Sequence, residues 1–372
     1  MYIKRIIING FKNLKQIDFS PGKSFNIIYG QNAQGKTNIL EAIWISTGCR
    51  SFRNSKEKDY ICFDGDEFDI KIIFQDELRT QEINYRMVRK SLKNKLITLN
   101  GVVQKNSSRL FENFKCIAFL PDDIDLIKGT PDRRRSFTDL CYSQLKPKSM
   151  SYIRKYDQLI AQRNAVIKNI ILGKDSEESL DLWDRQLAVA GSYISFMRNQ
   201  YVIKLSKYCQ ELYSKIAGGK ETLSVSYQSN IFPSDFEYPE SPDTSMTEIY
   251  YNKLKKSISD DLRLGYTHTG VGRDDISLKI NNLSVKDYGS QGQQKSTALV
   301  MRLAQAQIYS DEKLESPVIL LDDVMGELDE NRQRFVCSII ADMQVFITTC
   351  NHKAVIPECD SIFEMHGGRI VN

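Results

Sequence analysis

Gly30-Gln31-Asn32-Ala33-Gln34-Gly35-Lys36-Thr37 is the stretch that decides the fold of this chain. It matches G-x-x-x-x-G-K-[ST] at every fixed position and lies between an apolar run, 24–29, and a helical pattern, 38–44. In such a strand–loop–helix the glycines let backbone N–H groups point at a phosphate, and the helix N-terminus adds its positive dipole end. Lys36 then reaches the β- and γ-phosphates, and the Thr37 hydroxyl is a ligand of Mg²⁺. The pattern predicts a nucleoside triphosphate site.

The composition is that of an ordinary soluble globular protein. The chain has 372 residues, of which 41% are hydrophobic and 26% charged, and this length favours two lobes. No apolar run approaches the ~18 residues of a membrane span, and the first residues read as a strand rather than a signal peptide. Eight cysteines without C-x-x-C spacing and three histidines favour neither structural zinc nor a disulfide framework. We therefore expect a cytoplasmic protein, associated with the nucleoid if it binds DNA.

The part of the chain before residue 121 is rich in predicted strands. Residues 2–8 and 25–29 are predicted strands connected through Asn9–Leu14. Alternating apolar residues predict further antiparallel strands, with Asn100-Gly101 as a hairpin turn. These strands are expected at 60–63, 68–75, 81–87 and 96–104.

A helical region follows. Apolar residues at spacings of three or four after Asp175 predict one helix of about 40 residues, ended by Gly218-Gly219. The other predicted helices are 148–172, its antiparallel neighbour, and 246–263, after a loop at 229–246.

Strands return after Gly270. They are predicted at 276–280, 318–322 and 344–349, with a helix from the turn at 289–294 to about Tyr309. The predicted fold class is α/β, with one lobe formed by 1–120 and 268–372. A helical lobe, 121–267, is inserted between its halves, and its helices are too short for a long coiled coil.

The apolar run Val318–Leu321 ends in two aspartates, which is typical of a Walker B strand. Asp322 would then complete the Mg²⁺ site with Thr37. Asp323 would face the γ-phosphate and act with Lys36 in catalysis, by orienting or deprotonating the attacking water. Because transporter ATPases generally carry the longer glutamate at this position, we expect slow hydrolysis and a clamp-like use of ATP.

A second glycine turn, Gly289-Ser290-Gln291-Gly292-Gln293-Gln294, opens the helix that precedes the Walker B strand. Taken alone, the turn is a weak signal, because a Ser-Gly N-cap is the commoner explanation for such a stretch. Together with Gly326-Glu327-Leu328-Asp329 it resembles the signature motif and D-loop of ABC-type ATPases. The resemblance implies that Ser290, Gln291, Gly292 and Gln293 bind the ATP held by the P-loop of a second subunit.

Within that superfamily the opening strand and Asn9–Leu14 resemble SMC-like heads, and further stretches resemble the RecF family of recombination mediators. These stretches are 48–53, 119–129, 131–139 and 288–294. One departure is Gly270-Val271-Gly272-Arg273, where the family usually has Gly-Pro-His-Arg. The resemblance implies an ATP-dependent homodimer that clamps duplex or gapped DNA in recombinational repair and replication, with RecR and RecO helping to load RecA on single strands.

Charge alone does not identify DNA contacts. Residues 131–172 hold nine lysines or arginines against three aspartates, which also fits a solvated helix face. As an alternative to DNA contact, Arg133–Arg135 would form ion pairs with Asp122, Asp123 or Asp125. Three other functions stay open on sequence alone: a transporter ATPase subunit, the head of an SMC-like nuclease complex, and a scaffold with an inactive ATP site.

Overall fold

The structure, a computed structural model, describes residues 1–89, 95–105, 108–313, 315–350 and 359–371. Its strands are β1 (Tyr2–Phe11), β2 (Leu14–Phe19), β3 (Phe25–Tyr29), β4 (Glu67–Gln75), β5 (Thr80–Val88), β6 (Lys95–Leu99), β7 (Val102–Val103), β8 (Cys116–Phe119), β9 (Leu223–Gln228), β10 (Asp275–Ile280), β11 (Leu283–Ser284), β12 (Val318–Asp322), β13 (Val345–Thr349), β14 (Ser361–His366) and β15 (Arg369–Val371).

The α-helices of the described residues are α1 (Lys36–Ile45), α2 (Ser108–Asn113), α3 (Asp125–Lys128), α4 (Pro131–Leu145), α5 (Ser149–Ile171), α6 (Leu180–Ile216), α7 (Thr244–Lys256), α8 (Ile258–Leu264), α9 (Val285–Tyr288), α10 (Gln291–Lys313) and α11 (Glu330–Ile339). Short 3₁₀ turns lie at Glu57–Tyr60, Pro121–Ile124, Glu177–Ser179, Val271–Arg273 and Met325–Glu327. Among these residues no helix has both the length and the apolarity that crossing a lipid bilayer requires.

The chain divides into two compact units. The first comprises Met1–Asp123 and Leu299–Asn372, and the second, Ile124–Ala298, is inserted between them in sequence. The predicted boundary near 120 agrees with this division, but the one at 268 does not, because 268–298 belong to the second unit. The physical reason is that β10 pairs along its whole length with β9, in an antiparallel ladder that ties 275–280 to 223–228.

A mainly parallel sheet forms the centre of the first unit. Its strand order is β15-β14-β3-β13-β12-β8, and all pairs are parallel except β14 with β15. Strands β8, β12 and β13 are buried over their whole length, as expected for parallel strands covered on both faces. Helix α1 contacts β8, β12 and β13, which places the start of α1 at the carboxyl ends of these strands.

A second, antiparallel sheet of the first unit has the order β2-β1-β4-β5-β6-β7. Its strands alternate between buried and less buried residues, so that β4 buries Phe68, Ile70, Ile72 and Phe74 on one face. Asn100 and Gly101 both have positive φ, 53° and 76°, which is the geometry of a type I′ hairpin turn between β6 and β7. The predicted hairpin is therefore confirmed.

Helices dominate the second unit. Helix α6, with 37 residues, packs against α4, α5, α7 and β9, and its buried side includes Leu187, Ile194 and Met197. Gly218 and Gly219 end it with positive φ, and the Gly219 N–H donates to the Ser214 carbonyl, as in a Schellman motif. The predicted long helix and its shorter neighbour α5 are confirmed.

Several local predictions were wrong or incomplete. Residues 60–63 form the end of a 3₁₀ turn and one isolated bridge, Phe11 to Ile61, rather than a strand. Strand β1 continues through Phe11, so β1 and β2 form a hairpin instead of a long connection. The predicted helix at 246–263 is interrupted at Ser257. Strands β9, β14 and β15 were not predicted.

One buried ion cluster joins three helices of the second unit. The Arg163 guanidinium (α5) donates to Asp184 (α6) at 2.6 Å and to Asp261 (α8) at 2.5 Å, and all three side chains are fully buried. It also donates to the Thr267 hydroxyl at 2.8 Å.

Replacing Arg163 by alanine should lower the free energy of unfolding by about 3–5 kcal/mol, because two buried carboxylates lose their cation. Urea denaturation followed by circular dichroism measures the change. Arg185→Ala is the matched control, since Arg185 and Asp181 form a solvent-exposed pair whose loss should leave the midpoint nearly unchanged. Equal midpoints for the two variants would contradict a structural role for the cluster.

Candidate nucleotide-binding site

The predicted P-loop lies between β3 and α1, and its backbone has the curvature that phosphate binding needs. Gly30, Ala33 and Gly35 have φ values of 153°, 64° and 105°. At Gly35 a Cβ atom would lie 2.8 Å from the Asn13 side-chain oxygen, so a larger residue fits neither the conformation nor the space. Among the described residues, the backbone N–H groups of Asn32–Gly35 have no hydrogen-bond acceptor. They are therefore available to a bound anion.

The Lys36 ammonium lies inside this loop. It donates to the carbonyl oxygens of Gly30 at 2.6 Å and Gln31 at 2.9 Å, and it lies 3.7 Å from the Cys350 sulfur. Lys36 is 7% exposed, so its charge is held near the loop carbonyls rather than in solvent. A phosphate in the loop would offer this ammonium a charged acceptor in place of two neutral ones.

Thr37, Asp322 and Thr348 form a compact oxygen cluster at the carboxyl ends of β12 and β13. The Thr37 hydroxyl donates to Asp322 Oδ1 at 2.8 Å, and the Thr348 hydroxyl donates to the same oxygen at 2.7 Å. No group of three or more histidine, cysteine or acidic side chains suited to a metal occurs among the described residues. The cluster fits Mg²⁺, which usually takes one or two protein oxygens and completes its octahedron with phosphate oxygens and water.

Asp323 follows the cluster in a left-handed conformation, with φ of 54°. Its N–H donates to the Thr348 carbonyl at 3.2 Å and contacts the Thr348 hydroxyl at 3.0 Å, so β13 fixes this backbone. Burial raises the pKa of the Asp323 carboxyl, Lys36 acts in the opposite direction, and Asp322 and Glu327 raise it further. The side chain is nevertheless exposed toward the cavity.

A cavity of about 240 Å³ joins these residues. The P-loop residues Asn32 to Thr37 line it together with Asp322, Asp323 and Thr348. Sequence analysis did not identify Asn13 and Asn38, which also line it and are hydrogen-bonded to each other at 2.7 Å. Asn13 in addition donates to the Ala33 carbonyl at 3.0 Å, which ties the β1–β2 turn to the P-loop. The cavity is assembled wholly from the first unit.

Arg53 contributes a second cation to the cavity. Its guanidinium donates to the Asn38 side-chain oxygen at 3.2 Å. The loop that carries Arg53 is fixed by Glu41 of α1, a fully buried carboxylate that accepts from Ser51 at 2.6 Å and from Lys12 at 2.5 and 2.6 Å. The contact between Lys12 and Glu41 was not predicted, because Lys12 lies in the Asn9–Leu14 stretch without an assigned role and the contact joins segments that are distant in sequence.

The predicted signature turn belongs to the second unit. Ser290 and Gln293 form a capping box, since the Ser290 hydroxyl accepts from the Gln293 N–H at 3.2 Å and the Gln293 side chain accepts from the Ser290 N–H at 2.8 Å. Ser290 and Gln291 are exposed, and the nearest atom to a Cβ added at Gly292 would be the Ser290 hydroxyl at 3.9 Å. The turn thus has the N-cap geometry, with open space in front of it.

The sequence suggested that Arg133–Arg135 pair with Asp122, Asp123 or Asp125. This was wrong for Arg134 and Arg135, which form ion pairs with other carboxylates. Arg134 forms a two-point contact with Asp275, at 2.6 and 2.9 Å. Arg135 pairs with Asp132 and donates to the Asp274 carbonyl at 2.6 Å. Asp123 is bound instead by Arg302 of the first unit, at 2.6 Å.

Comparison with known proteins identifies the family of the chain. The model of the RecF/RecN/SMC N terminal domain matches residues 2–368. The DNA replication and repair protein RecF of Agathobacter rectalis is 34% identical over 373 residues, which cover 100% of this chain and 99% of that protein. The chain belongs to the RecF family.

Solved structures agree with membership of the RecF family. One, described as the recombination mediator protein RecF-ATP in the RecFOR pathway, has a TM-score of 0.91 at 32% identity and covers 100% of this chain and 97% of its own. The Smc head domain of Pyrococcus furiosus, bound to the C-terminal domain of ScpA, has a TM-score of 0.56 at 17% identity, with coverages of 100% and 96%. The second likeness shows the fold alone and confirms the predicted SMC-like head.

The departure from the RecF-family pattern at Val271-Gly272 has a structural explanation. The Val271 N–H donates to the buried Tyr250 hydroxyl at 3.1 Å, and that hydroxyl is 2.9 Å from the hydroxyl of Tyr156. A proline has no N–H to donate, so valine at 271 gives the Tyr250 hydroxyl a second hydrogen bond, where proline would leave it with Tyr156 alone. Gly272 is exposed, and an added Cβ would meet no atom within 4 Å. Glycine at 272, where the family usually has histidine, therefore leaves no internal cavity.

The Thr348 hydroxyl can be tested by itself. Thr348→Val removes the bonds to Asp322 and Asp323 at a buried position and should lower the free energy of unfolding by about 1–3 kcal/mol. Thr348→Ser keeps the hydroxyl and should retain most of that stability. Urea denaturation of the ligand-free protein measures both. A valine variant more stable than the serine variant would show that packing, rather than the hydroxyl, decides this position.

Proposed function

We propose that this chain is an ATP-dependent DNA-binding protein of recombinational repair and replication-fork maintenance. The observation that carries the proposal is the hydrogen-bonded set Thr37–Asp322–Thr348 beside a P-loop whose N–H groups are open. This set has the donors and acceptors for a triphosphate with Mg²⁺, and membership of the RecF family connects it with DNA replication and repair.

In this proposal the P-loop holds ATP by its phosphates. The N–H groups of Gln31–Gly35 and the start of α1 surround the phosphate oxygens, and Lys36 leaves the loop carbonyls to bind the β- and γ-phosphates. Thr37 and Asp322 would hold Mg²⁺, which would supply positive charge to the β- and γ-phosphates. Thr348 keeps the Asp322 carboxylate oriented toward that position.

Asp323 is the proposed general base for slow ATP hydrolysis. Its raised pKa makes it a better proton acceptor than an ordinary aspartate, and its backbone bonds to Thr348 fix the direction of its short side chain. Asp323 accepts a proton from water as the oxygen attacks the γ-phosphorus, and Lys36 stabilises the charge on the transferred group. ADP and phosphate are the products.

The signature turn of a second molecule completes the ATP site. The start of α10, with the exposed Ser290 hydroxyl, the N–H groups of Gln291 and Gly292 and the Gln293 side chain, suits the γ-phosphate of an ATP bound by another copy, as the ABC-type resemblance implies. Functionally, the ATPase lobe therefore includes 268–298 as well as 1–120 and 299–372. Two ATP molecules would join two chains head to tail, and hydrolysis would separate them.

The dimer would close around duplex or gapped DNA through contacts to phosphates, which do not depend on the base sequence. By its family it would act with RecR and RecO to promote RecA loading on single-stranded DNA, in the cytoplasm and at the nucleoid. ATP serves here as a clamp that sets the lifetime of the DNA complex.

Sedimentation velocity with ATP, ADP or no nucleotide, with and without duplex DNA, tests this function. The parent should dimerise and bind DNA with ATP only. Lys36→Ala should stay monomeric, while Asp323→Asn should form a dimer that lasts longer because hydrolysis is slowed roughly 10²-fold or more. Asparagine also tolerates the positive φ at 323. A monomeric parent in every condition would overturn the proposal.

Mixing two inactive variants tests whether each site is shared. Lys36→Ala lacks a working P-loop, and Ser290→Arg lacks a working signature turn, so neither alone should form ATP-dependent dimers. An equimolar mixture contains pairs with one intact composite site, made from the P-loop of one variant and the turn of the other. We expect ATPase activity to reappear in the mixture. A site contained within one chain predicts no recovery, because each variant would be inactive on its own.

A further inference from the structure

The basic stretch at 131–172 contains two kinds of cation. Arg134, Arg135 and Arg163 have internal partners in the second unit and contribute to its fold. The remaining six are exposed, and none has an ion pair with a described residue. These are Arg133, Lys146, Lys148, Arg154, Lys155 and Lys168. Four of them lie within ten residues at the beginning of α5.

A stacked pair of tyrosines lies among these four cations. The rings of Tyr152 (α5) and Tyr193 (α6) are 3.9 Å apart between centroids and inclined by 22°. Tyr193 is half-buried against the core formed by α5, α6 and α7, and this burial raises the pKa of its hydroxyl. Tyr152 is the outer ring and is 37% exposed. We call Tyr152 and Tyr193 the tyrosine platform.

Helix geometry puts cations on both sides of the platform. Lys155 is three residues after Tyr152 in α5, and Lys148, the N-cap residue with helical φ and ψ of −59° and −24°, is four residues before it, so the three side chains share one helical face. Seven residues of helix separate the two lysines by roughly 10 Å along the axis. Asp157, the acidic residue of α5, is five positions beyond Tyr152 and therefore on another face.

We propose that the tyrosine platform stacks an unpaired base of DNA while Lys148 and Lys155 bind the flanking phosphates. The inference rests on the proposed DNA-binding function and adds the side chains that would hold the unpaired strand of a gapped DNA. Bases inside a duplex are already stacked on their neighbours, whereas an unpaired base has a free face. A ring already fixed by its neighbour loses little freedom on binding a base.

The charges favour nucleic acid over a protein partner on this surface. A hydrophobic interface depletes lysine at its centre, whereas here lysines flank the ring on both sides. Aromatic rings between lysines and arginines are the usual elements of a single-strand site, in which stacking is tolerant of sequence and cations follow the backbone. The bound group is therefore an unpaired nucleotide within a longer strand.

Fluorescence anisotropy with two DNA molecules of equal length tests the inference in the presence of ATP. One is a continuous duplex, and the other has a short single-stranded gap with 2-aminopurine at its first unpaired position. Tyr152→Ala should weaken binding to gapped DNA roughly 10-fold or more and leave binding to the duplex unchanged. Stacking on Tyr152 should also quench the 2-aminopurine fluorescence, and the alanine variant should lose this quenching.

Three variants control the experiment. Tyr152→Phe keeps the ring and should behave as the parent. Tyr266→Ala removes a tyrosine of similar exposure, 41%, and should leave both affinities unchanged. Lys148→Ala combined with Lys155→Ala should weaken gapped-DNA binding and reduce its dependence on salt. Thermal melting of each variant shows whether the fold is intact.

The outcomes separate this inference from the function on which it rests. If the parent binds no DNA with ATP, the proposed function fails. If the parent binds DNA but folded Tyr152→Ala keeps the full affinity and quenching for gapped DNA, the platform does not stack a base. Equal losses on gapped and continuous DNA would also overturn it, because stacking of an unpaired base cannot affect a continuous duplex.

Discussion

The hydrogen bond from Thr37 to Asp322 is the interaction on which the arrangement of the site depends. Thr37 begins α1 after β3, Asp322 ends β12, and Thr348 of β13 donates to the same carboxylate oxygen. Strand β13 lies between β3 and β12 in the sheet, so one oxygen atom joins the ends of β12 and β13 to the first turn of α1, which follows β3 through the P-loop. The backbone of Asp323 is then held by Thr348, and the position of this proposed general base follows from the same contacts.

Predictions from sequence succeeded where the signal is local. The P-loop, the Walker B strand and the end of α6 are specified by glycines, apolar runs and spacing within a few residues of each feature. Glu41 and Lys12 carry no such signal, because what makes them important is a buried contact between segments 29 positions apart. The compact unit extends past 268 for the same reason: β9 and β10 pair across 46 intervening positions, and periodicity does not report a partner.

The basic stretch shows how a count of charges differs from a charged surface. Nine cations were predicted as one group, yet the structure gives Arg134 and Arg163 carboxylate partners that are distant in sequence. Planar guanidinium groups suit these two-point contacts, and lysines remain mostly on the exposed side. The exposed set is consequently smaller, and four of its six members lie at 146–155, around Tyr152, which the sequence did not distinguish from the other tyrosines.

The order of strands in the parallel sheet has a consequence for synthesis of the chain. Strands β3 and β8 precede the inserted unit, but β12 and β13, which lie between them in the sheet, follow it. The segment 1–123 therefore leaves the ribosome without the strands that join β3 to β8, whereas 124–298 emerges as a continuous unit with its own core. Folding during translation would begin with the inserted unit, and the nucleotide site would form only after β12 and β13 have been made. The proposed ATP site is thus completed only after the inserted unit, which carries the tyrosine platform, has been made.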